Sequence, residues 1–385
     1  IQALEDELAR VVSGHEAGSS TERALLVSAS SETKHQAEES LAELRDLARS
    51  INLEVIASVT QQRKKSDSRL LIGPGKLQDL AILALQEAAT VIIFDQELNP
   101  SQIRSITDQI ELKVIDRTQL ILDIFAQRAQ TREGKLQVEL ALLKYLLPRL
   151  VVKNTAMSRL TGGIGGRGPG ETKLEINRRR ARERIAGLEK ALFSVTKQRQ
   201  QQKAKRSKKG LRVISIIGYT NAGKSTLLNT LTKSNVAAEN RLFATLDPSS
   251  RRLRFPRDVE VIITDTVGFI KDLPNDLRVA FRATLEELED ADLLLHVIDI
   301  SNPRYEEQIK SVEKILADLN LQNTATIRVL NKMDRVSPQT GTRLSRKLKG
   351  IAISARSKVT LLPLIDEIQR KIENASGQLT AINEP

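Results

Sequence analysis

The chain has 385 residues, 40% hydrophobic and 28% charged, so it is long enough for two or three separate cores. It contains no cysteine, which excludes disulfide bonds, cysteine-ligated zinc and iron–sulfur clusters, and its three histidines are too scattered to suggest a metal site. No apolar run approaches the roughly 18 residues that a membrane span needs, so we expect no membrane partner. The lack of cysteine fits a reducing compartment, and a cytoplasmic protein is expected. An organellar stroma or matrix stays open, because the sequence begins with Ile1 rather than Met.

The net charge of +12 is concentrated in one segment. Residues 178–212 hold fourteen Lys and Arg against two Glu, whereas the other 350 residues carry 46 basic and 46 acidic groups. A solvated helix is the ordinary interpretation of a charged run of mixed sign. A stripe of one sign is typical of phosphate-backbone binding, so we favour nucleic acid or another polyanion as the partner of this segment.

Residues 22–131 are predicted to form a small α/β subdomain. Strands are expected at 24–29, 54–59, 90–94 and 112–115, and helices at 36–49, 76–88 and 100–110. This alternation favours a mostly parallel sheet covered by helices. Asn99 and Pro100 supply the cap and the first residue of the third helix. Residues 73–76 (GPGK) are either a turn and helix start, which we favour, or an anion site, which leaves a second nucleotide open.

Residues 132–205 are predicted to form an antiparallel, coiled-coil-like helical hairpin. Apolar residues recur in steps of three and four from 136 to 150, and the same steps run from 174 to 195 with Arg178 at one of the positions. Pro148 should kink or end the first helix near Leu147. Beyond residue 199 the apolar seam is lost, so we expect a charged linker, with residues 206–210 joining the hairpin to the next domain.

The loop between the two helices, residues 161–171, has six glycines in its nine central residues. It is either a floppy linker or a recognition surface, and we favour recognition because glycine lets a backbone approach a partner closely. Basic side chains beside it and on the second helix are the expected RNA contacts: Arg159, Arg167, Lys173, Arg178, Arg179, Arg180 and Arg182.

Residues 211–373 are predicted to form a P-loop nucleotide-binding domain with a mostly parallel sheet, followed by a tail at 374–385. A strand at 213–217, the loop Gly218–Ser225 (GYTNAGKS) and a helix at 226–231 follow the order that a P-loop needs. The loop's N–H groups and the helix dipole should hold the phosphates. Lys224 should reach the β and γ phosphates, and the Ser225 hydroxyl should bind Mg²⁺.

A second apolar run at 259–264 leads into Asp265-Thr-Val-Gly268. Asp265 should hold Mg²⁺ through its water shell, and the N–H of Gly268 should meet the γ phosphate. Thr245 lies between these two motifs, where it would complete the Mg²⁺ shell only while the γ phosphate is present. This pattern predicts an order-to-disorder switch.

Asn331-Lys-Met-Asp334 follows a strand predicted at 326–330. The Asp334 carboxylate would accept hydrogen bonds from N1–H and the exocyclic amine of guanine, a pair of donors that adenine lacks. Asn331 should brace the nucleotide loop and the Lys332 stem should lie along the base. Ser354 and Ala355 fit a last loop, whose backbone N–H would contact guanine O6.

These assignments give a candidate site of three overlapping sets. The nucleotide-binding set is Gly218, Tyr219, Thr220, Asn221, Ala222, Gly223, Lys224, Ser225, Thr226, Asp265, Gly268, Asn331, Lys332, Asp334, Ser354 and Ala355. The metal set is Ser225, Thr245 and Asp265, and the catalytic set is Lys224, Thr245 and Gly268.

Taken in order, the motifs resemble those of the translation-factor-related P-loop GTPases, and the wider sequence, from about residue 22 to 373, resembles the HflX family of ribosome-associated GTPases. The segments that carry the resemblance are 162–173 (GGIGGRGPGETK), 218–226 (GYTNAGKST), 242–247 (LFATLD), 265–270 (DTVGFI) and 331–334 (NKMD). The resemblance implies that the hairpin approaches the peptidyl-transferase region of the large ribosomal subunit, and that the GTP-bound protein splits or rescues stalled ribosomes. A GTPase of ribosome assembly, or one acting on another structured RNA, is the alternative.

Phe269 stands where many signalling GTPases have a water-orienting Gln, so slow intrinsic hydrolysis, raised by the ribosome, is predicted. Phe269 is equally a packing residue, and both interpretations can hold. The low aromatic content argues against a base-stacking platform. A P-loop metabolic kinase does not explain Asp334, a non-catalytic RNA scaffold does not explain Thr245, and no lipidation motif supports a membrane-linked GTPase. A monomer is expected.

Overall fold

The computed structural model describes residues 22–31, 33–63, 67–153, 173–207, 211–232, 243, 249–255, 260–266, 268–270 and 288–382. The chain divides into two compact units, residues 1–193 and 194–385. Among the described helices, none is long and apolar enough to cross a membrane. Each unit has its own mostly parallel sheet and its own core.

The first unit is built on a four-stranded parallel sheet in the order β2-β1-β3-β4. Its strands are β1 (Arg23–Ser30), β2 (Glu54–Gln62), β3 (Val91–Phe94) and β4 (Lys113–Asp116). Its helices are α1 (Lys34–Ser50), α2 (Pro74–Gln86), α3 (Pro100–Ile110) and α4 (Arg117–Arg128). The predicted strands and the first three predicted helices are confirmed. Helix α4 was not predicted, because most of its residues are buried and it therefore lacks the amphipathic period of a surface helix.

Local side chains fix where these helices begin. The Asn99 side chain accepts the N–H of Gln102, the Gln102 side chain accepts the N–H of Asn99, and Pro100 takes the first helical position, which confirms the predicted cap of α3. Residues 73–76 begin α2, with Gly73 as its cap, as the simpler of the two interpretations predicted.

Asp116, at the end of β4, joins the sheet to the helix that follows α4. Its fully buried carboxylate accepts hydrogen bonds from the Leu98 N–H at 2.9 Å and from the Tyr145 hydroxyl at 2.7 Å. The Arg149 guanidinium lies 3.5 Å from the same carboxylate and 3.4 Å from the centroid of the Tyr145 ring. Burial, followed by the charge of Asp116, raises the pKa of Tyr145 far above its usual range, so its hydroxyl stays a donor.

Helices α5 (Arg132–Lys153) and α6 (Lys173–Ser207) follow. The leucines of the predicted seam do pack together: Leu140, Leu143 and Leu188 are buried, with Leu136, Ile185 and Leu192 against them. Pro148 does not end α5, which continues to Lys153. The expected linker from residue 199 is instead helical as far as Ser207, because Lys, Arg and Gln favour helix even without an apolar seam. The glycine-rich loop 161–171 lies outside the described residues.

The second unit contains a six-stranded sheet in the order β10-β9-β8-β5-β7-β6. Its strands are β5 (Arg212–Gly218), β6 (Ser249–Arg254), β7 (Glu260–Asp265), β8 (Leu293–Asp299), β9 (Thr326–Asn331) and β10 (Ile351–Ala352). Its named helices are α7 (Lys224–Thr232), α8 (Tyr305–Asp318), α9 (Pro338–Leu348) and α10 (Leu362–Ile382). Only β6 is antiparallel among these pairings, so the predicted α/β class with a mostly parallel sheet is confirmed.

Strands β5, β7, β8 and β9 all end at one edge of this sheet. Because they run parallel, their carboxyl ends bring Gly218, Asp265, Asp299 and Asn331 to the same side. Apolar side chains from the middle of these strands fill the core below. This edge is where ligands bind in open α/β sheets.

Candidate functional site

The loop after β5 passes too close to its neighbours for side chains at two positions. Gly218 has φ +150°, and a Cβ there would lie 2.3 Å from the Val297 carbonyl oxygen. Gly223 has φ +96°, and a Cβ there would lie 2.3 Å from the Asn331 amide nitrogen. Glycine is therefore required at both ends of the segment 218–223, whose N–H groups precede helix α7.

Lys224 begins α7 and is buried. Its ammonium donates to the Tyr219 carbonyl at 3.0 Å, inside the loop that it follows. Burial lowers the pKa of Lys224 to about 8, and the charge of Asp265 acts in the opposite direction. Removing this cation from water is costly, so the site favours an anion that would restore its charged form.

Gly268 brings the segment after β7 against the same loop. A Cβ at Gly268 would lie 3.0 Å from the Lys224 ammonium and 2.8 Å from Thr220 Cγ2. Two backbone hydrogen bonds join the segments: Thr220 N–H to the Phe269 carbonyl at 2.8 Å, and Phe269 N–H to the Gly218 carbonyl at 3.1 Å. The loop and this segment therefore hold each other in place.

The Phe269 side chain packs in the core and not against the loop 218–225. It is 2% exposed and belongs to the core cluster with Ile217, Leu294 and Val312. The packing interpretation of Phe269 is confirmed, and an apolar ring in the core has no group with which to orient water.

Ser225 and Asp265 bring together two side-chain oxygens that could bind a metal ion. The Ser225 hydroxyl donates to the Asp265 carboxylate at 2.6 Å, and Asp265 is fully buried. Such a hydroxyl and carboxylate pair suits a hard cation. The third predicted ligand, Thr245, lies outside the described residues. Within the described part of the chain, no group of three or more His, Cys, Asp or Glu side chains is placed to hold a metal.

Asn331 fastens three segments together from the end of β9. Its amide nitrogen donates to the Ala222 carbonyl at 2.8 Å, and its amide oxygen accepts the Ala355 N–H at 2.9 Å. The expected bracing of the loop by Asn331 is confirmed. Thr230 on α7, which the sequence did not single out, donates to the Ala355 carbonyl at 2.6 Å. The Ala355 N–H already donates to the Asn331 amide oxygen, and its predicted contact with guanine O6 stays a prediction.

Lys332 spans from the Asn331 loop to the loop after β5. Its ammonium donates to the Asn221 carbonyl at 2.8 Å and to the Asp299 carboxylate at 2.6 Å. Asp299 was also missed from the sequence, although an acidic residue ending the apolar run 293–299 was the available signal.

Asp334 presents an exposed carboxylate beside the buried Ser354. A hydrogen bond from the Ser354 side chain lowers the pKa of Asp334, so this carboxylate is charged at neutral pH and only accepts hydrogen bonds. The Ser354 N–H donates to the Thr360 hydroxyl at 3.0 Å, which fixes the loop that carries the serine.

The predicted RNA contacts that are described lie on α6. Arg179, Arg180 and Arg182 are exposed and Arg178 is half-buried. Lys173 is the first residue of α6, whereas Arg159 and Arg167 lie outside the described residues.

Three family models match successive segments of the chain between residues 38 and 332. Residues 38–126 match the N-terminal region of a GTP-binding GTPase, residues 128–206 match its middle region, and residues 213–332 match a model described as a 50S ribosome-binding GTPase. The GTPase HflX of Caldanaerobacter subterraneus subsp. tengcongensis is 49% identical over 353 residues, covering 91% of this chain and 81% of that protein. The chain belongs to the HflX family of GTPases.

This HflX chain therefore binds guanine nucleotide and hydrolyses GTP, and the resemblance found in its motifs is confirmed. The GTPase HflX of Escherichia coli K12 is 42% identical over 345 residues, covering 89% of this chain and 81% of that protein. Among solved structures, a GTP-binding protein from Sulfolobus solfataricus in complex with GDP has a TM-score of 0.48 and 24% identity, over 92% of this chain and 100% of that chain.

Proposed function

We propose that GTP binds at the carboxyl edge of the second sheet, with its phosphates in the loop 218–225 and its base between Lys332 and Asp334. The buried ammonium of Lys224 carries this proposal, because it lies inside the loop against the Tyr219 carbonyl, its pKa is lowered by burial, and a triphosphate would add negative charge beside it. The residues assigned to the nucleotide are 218–226, Asp265, Gly268, Asn331, Lys332, Asp334, Ser354 and Ala355.

We also propose that Mg²⁺ is held by Ser225 and Asp265. Their oxygens already lie 2.6 Å apart, and oxygen donors at a phosphate loop are what Mg²⁺ prefers. When bound, the ion neutralises charge on the β and γ phosphates. Thr245 is the remaining ligand predicted from the sequence. Together with Lys224 and Gly268, it forms the catalytic set.

Hydrolysis by this HflX chain alone should be slow. Phe269 packs in the core and leaves the attacking water without a side chain from that position. A partner that docks against the segment containing Thr245 would hold this threonine at the Mg²⁺ and raise the rate. GTP hydrolysis would then be coupled to engagement of that partner.

The partner that we propose is the large ribosomal subunit. The matched model of residues 213–332 is described as that of a 50S ribosome-binding GTPase, and the charge excess of the chain lies in residues 178–212. Exposed arginines on α6 suit a phosphate backbone. The proposed task is the splitting or rescue of stalled ribosomes, which would place the protein in the cytoplasm or an organellar matrix.

Co-sedimentation with isolated ribosomal subunits tests this proposal. The full chain is mixed with large or small subunits at several salt concentrations, with a non-hydrolysable GTP analogue, with GDP, or without nucleotide. We expect binding to large subunits in the analogue state, weakening steeply with salt, and a GTPase rate raised by large subunits. Failure to bind either subunit in any nucleotide state would remove the ribosomal role and leave the GTPase, and an unchanged rate would remove the coupling of hydrolysis to the ribosome.

A matched pair of variants separates a specific contact from bulk charge. Arg180→Ala with Arg182→Ala removes two exposed charges from α6. Arg343→Ala with Arg346→Ala removes two exposed charges from α9, which is not part of the proposed interface. We expect the α6 pair to weaken large-subunit binding about tenfold and the α9 pair to leave it unchanged. Equal losses would point to non-specific electrostatic binding.

A further inference from the structure

The carboxylate of Asp299 is placed at the nucleotide edge but has none of the roles assigned above. Asp299 ends β8, a strand paired on one side with β5 and on the other with β9. One carboxylate oxygen accepts from the Ser301 N–H at 3.0 Å and from the Ser301 hydroxyl at 2.6 Å. The other accepts from the Lys332 ammonium at 2.6 Å. The side chain is thus fixed by the turn that follows its own strand.

The long side chain of Lys332 needs a fixed partner to hold its ammonium in one place. A lysine stem has four flexible carbons, and ordering it costs rotamer entropy. Its backbone is also held at φ +65°, an uncommon conformation for a residue with a side chain. The Asp299 carboxylate holds the ammonium on a rigid strand, so the lysine is ordered before any ligand arrives.

The same ammonium donates to the Asn221 carbonyl at 2.8 Å. Asn221 belongs to the loop assigned to the phosphates, and Lys332 belongs to the segment assigned to the base. The Asp299–Lys332 pair is also well shielded, because the two side chains are 13% and 14% exposed. A shielded ion pair is stronger than a surface pair.

We propose that Asp299 is a positioning residue for guanine-nucleotide affinity, which acts by holding Lys332 between the phosphate loop and the base-recognition segment. The inference rests on the nucleotide site proposed above. Asp299 contacts Ser301 and Lys332, whereas Lys224 and Ser225, on the side of the reacting phosphate, contact Tyr219 and Asp265. Asp299 therefore governs how long the nucleotide stays and not how fast it is cleaved.

The test measures release of a fluorescent GDP analogue and steady-state GTP hydrolysis with the full chain. For Asp299→Ala we expect release to be about tenfold faster and the KM for GTP about tenfold higher, with kcat within about twofold, since a charge-assisted hydrogen bond contributes on this scale. Asp299→Asn keeps an acceptor of the same shape without the charge, so release should be about threefold faster. If the alanine variant does not fold, the asparagine variant carries the test.

Asp292 provides the matched control. It lies just before β8, at the other end of the strand from Asp299, and its carboxylate pairs with Arg212 at 2.8 Å. Asp292→Ala should lower the unfolding temperature but leave GDP release unchanged. A general loss of strand stability would instead speed release in both variants, and would overturn the proposal.

A double-mutant cycle asks whether Asp299 acts through Lys332. If it does, Asp299→Ala adds nothing to Lys332→Ala, and the double variant releases GDP at the rate of Lys332→Ala alone. Additive effects, or wild-type release in Asp299→Asn, would overturn the inference. If Lys224→Ala still bound GDP as wild type does, the nucleotide site itself would be wrong, which is a separate result.

Discussion

The two sheets of this HflX chain use the same edge in different ways. Both are mostly parallel, and both bring polar residues to the carboxyl ends of their strands. In the first sheet these residues bind groups of the same unit: the Gln96 side chain accepts the Ala29 N–H at 2.8 Å, and Arg117 pairs with Asp95 at 3.0 Å and with Glu43 of α1 at 2.8 Å. Side chains of the unit itself fill that edge.

In the second sheet the strand ends lead into loops instead. Gly218 and Gly223 bring the backbone too close to its neighbours for side chains, and the Lys224 cation lies buried beside a carbonyl group. In the first sheet, buried charges are matched within the protein. In the second, we assign the matching charge to a nucleotide. The fold therefore does not by itself decide whether the edge of a parallel sheet binds a ligand.

Among the changes that test this difference between the two sheets, Lys224→Ala should have the largest effect, and that effect is on nucleotide affinity. Losing two or more charge-assisted hydrogen bonds to phosphate should weaken GDP and GTP binding about a thousandfold. The unfolding temperature without nucleotide should be unchanged or higher, because a buried cation is removed. Calorimetric titration and thermal unfolding measure the two quantities. A variant that loses stability in parallel with affinity would show that Lys224 is a structural cation like Arg117.

Arg117→Met should have the opposite pattern. It leaves the buried carboxylates of Glu43 and Asp95 without their cation, so we expect the first unit to be destabilised by about 3 kcal/mol. GDP affinity should stay at the wild-type value. Denaturant unfolding measures the loss, and Arg184→Met, which breaks an exposed pair with Glu139, is the control expected to change stability by less than about 1 kcal/mol.

The smallest expected effect is a dependence of affinity on pH. The pKa of Lys224 is lowered to about 8 by burial, and phosphate would favour its charged form. GDP binding should therefore take up a proton as the pH rises through 8, and affinity should fall about fourfold between pH 7 and pH 8.5. Calorimetry in buffers of different ionisation enthalpy measures the uptake. Binding without proton uptake at pH 8.5 would contradict the assignment of Lys224 to the phosphates.

The same linkage has the opposite sign for folding without nucleotide. Lys224 binds its proton less tightly in the folded state than in the unfolded state, where lysine titrates near its usual value of 10.5. Between about pH 8 and 10.5 the unfolded chain therefore holds more protons, and the contribution of Lys224 to stability rises with pH.

Motifs with a fixed order were predictable from sequence because each has a local physical reason. Gly218, Lys224 and Asn331 were identified in this way, and the described contacts agree with their proposed roles. Asp299 and Thr230 were not identified, since each acts through a residue distant in sequence. Their spacings to Lys332 and Ala355 carry no local pattern.

The ends of the helices show the same difference between local signals, which could be predicted, and longer-range effects, which could not. Asn99 and Pro100 marked the start of α3 because the capping contacts join residues only three positions apart in sequence. The linker expected from residue 199 was wrong, and α5 does not end at Pro148, because both expectations rested on local propensity and the helices continue through these positions. Packing and length can override a single proline or the loss of an apolar seam.

The contacts of Asp116 with Tyr145 and Arg149 limit how α5 can move relative to the first sheet. Tyr145 and Arg149 lie near the far end of α5, and both are held by the carboxylate at the end of β4. The two side chains lie one helical turn apart, so α5 is attached to the end of β4 at two successive turns. The last turns of α5 therefore cannot rotate or tilt relative to β4 without breaking the contacts of Tyr145 and Arg149 with Asp116.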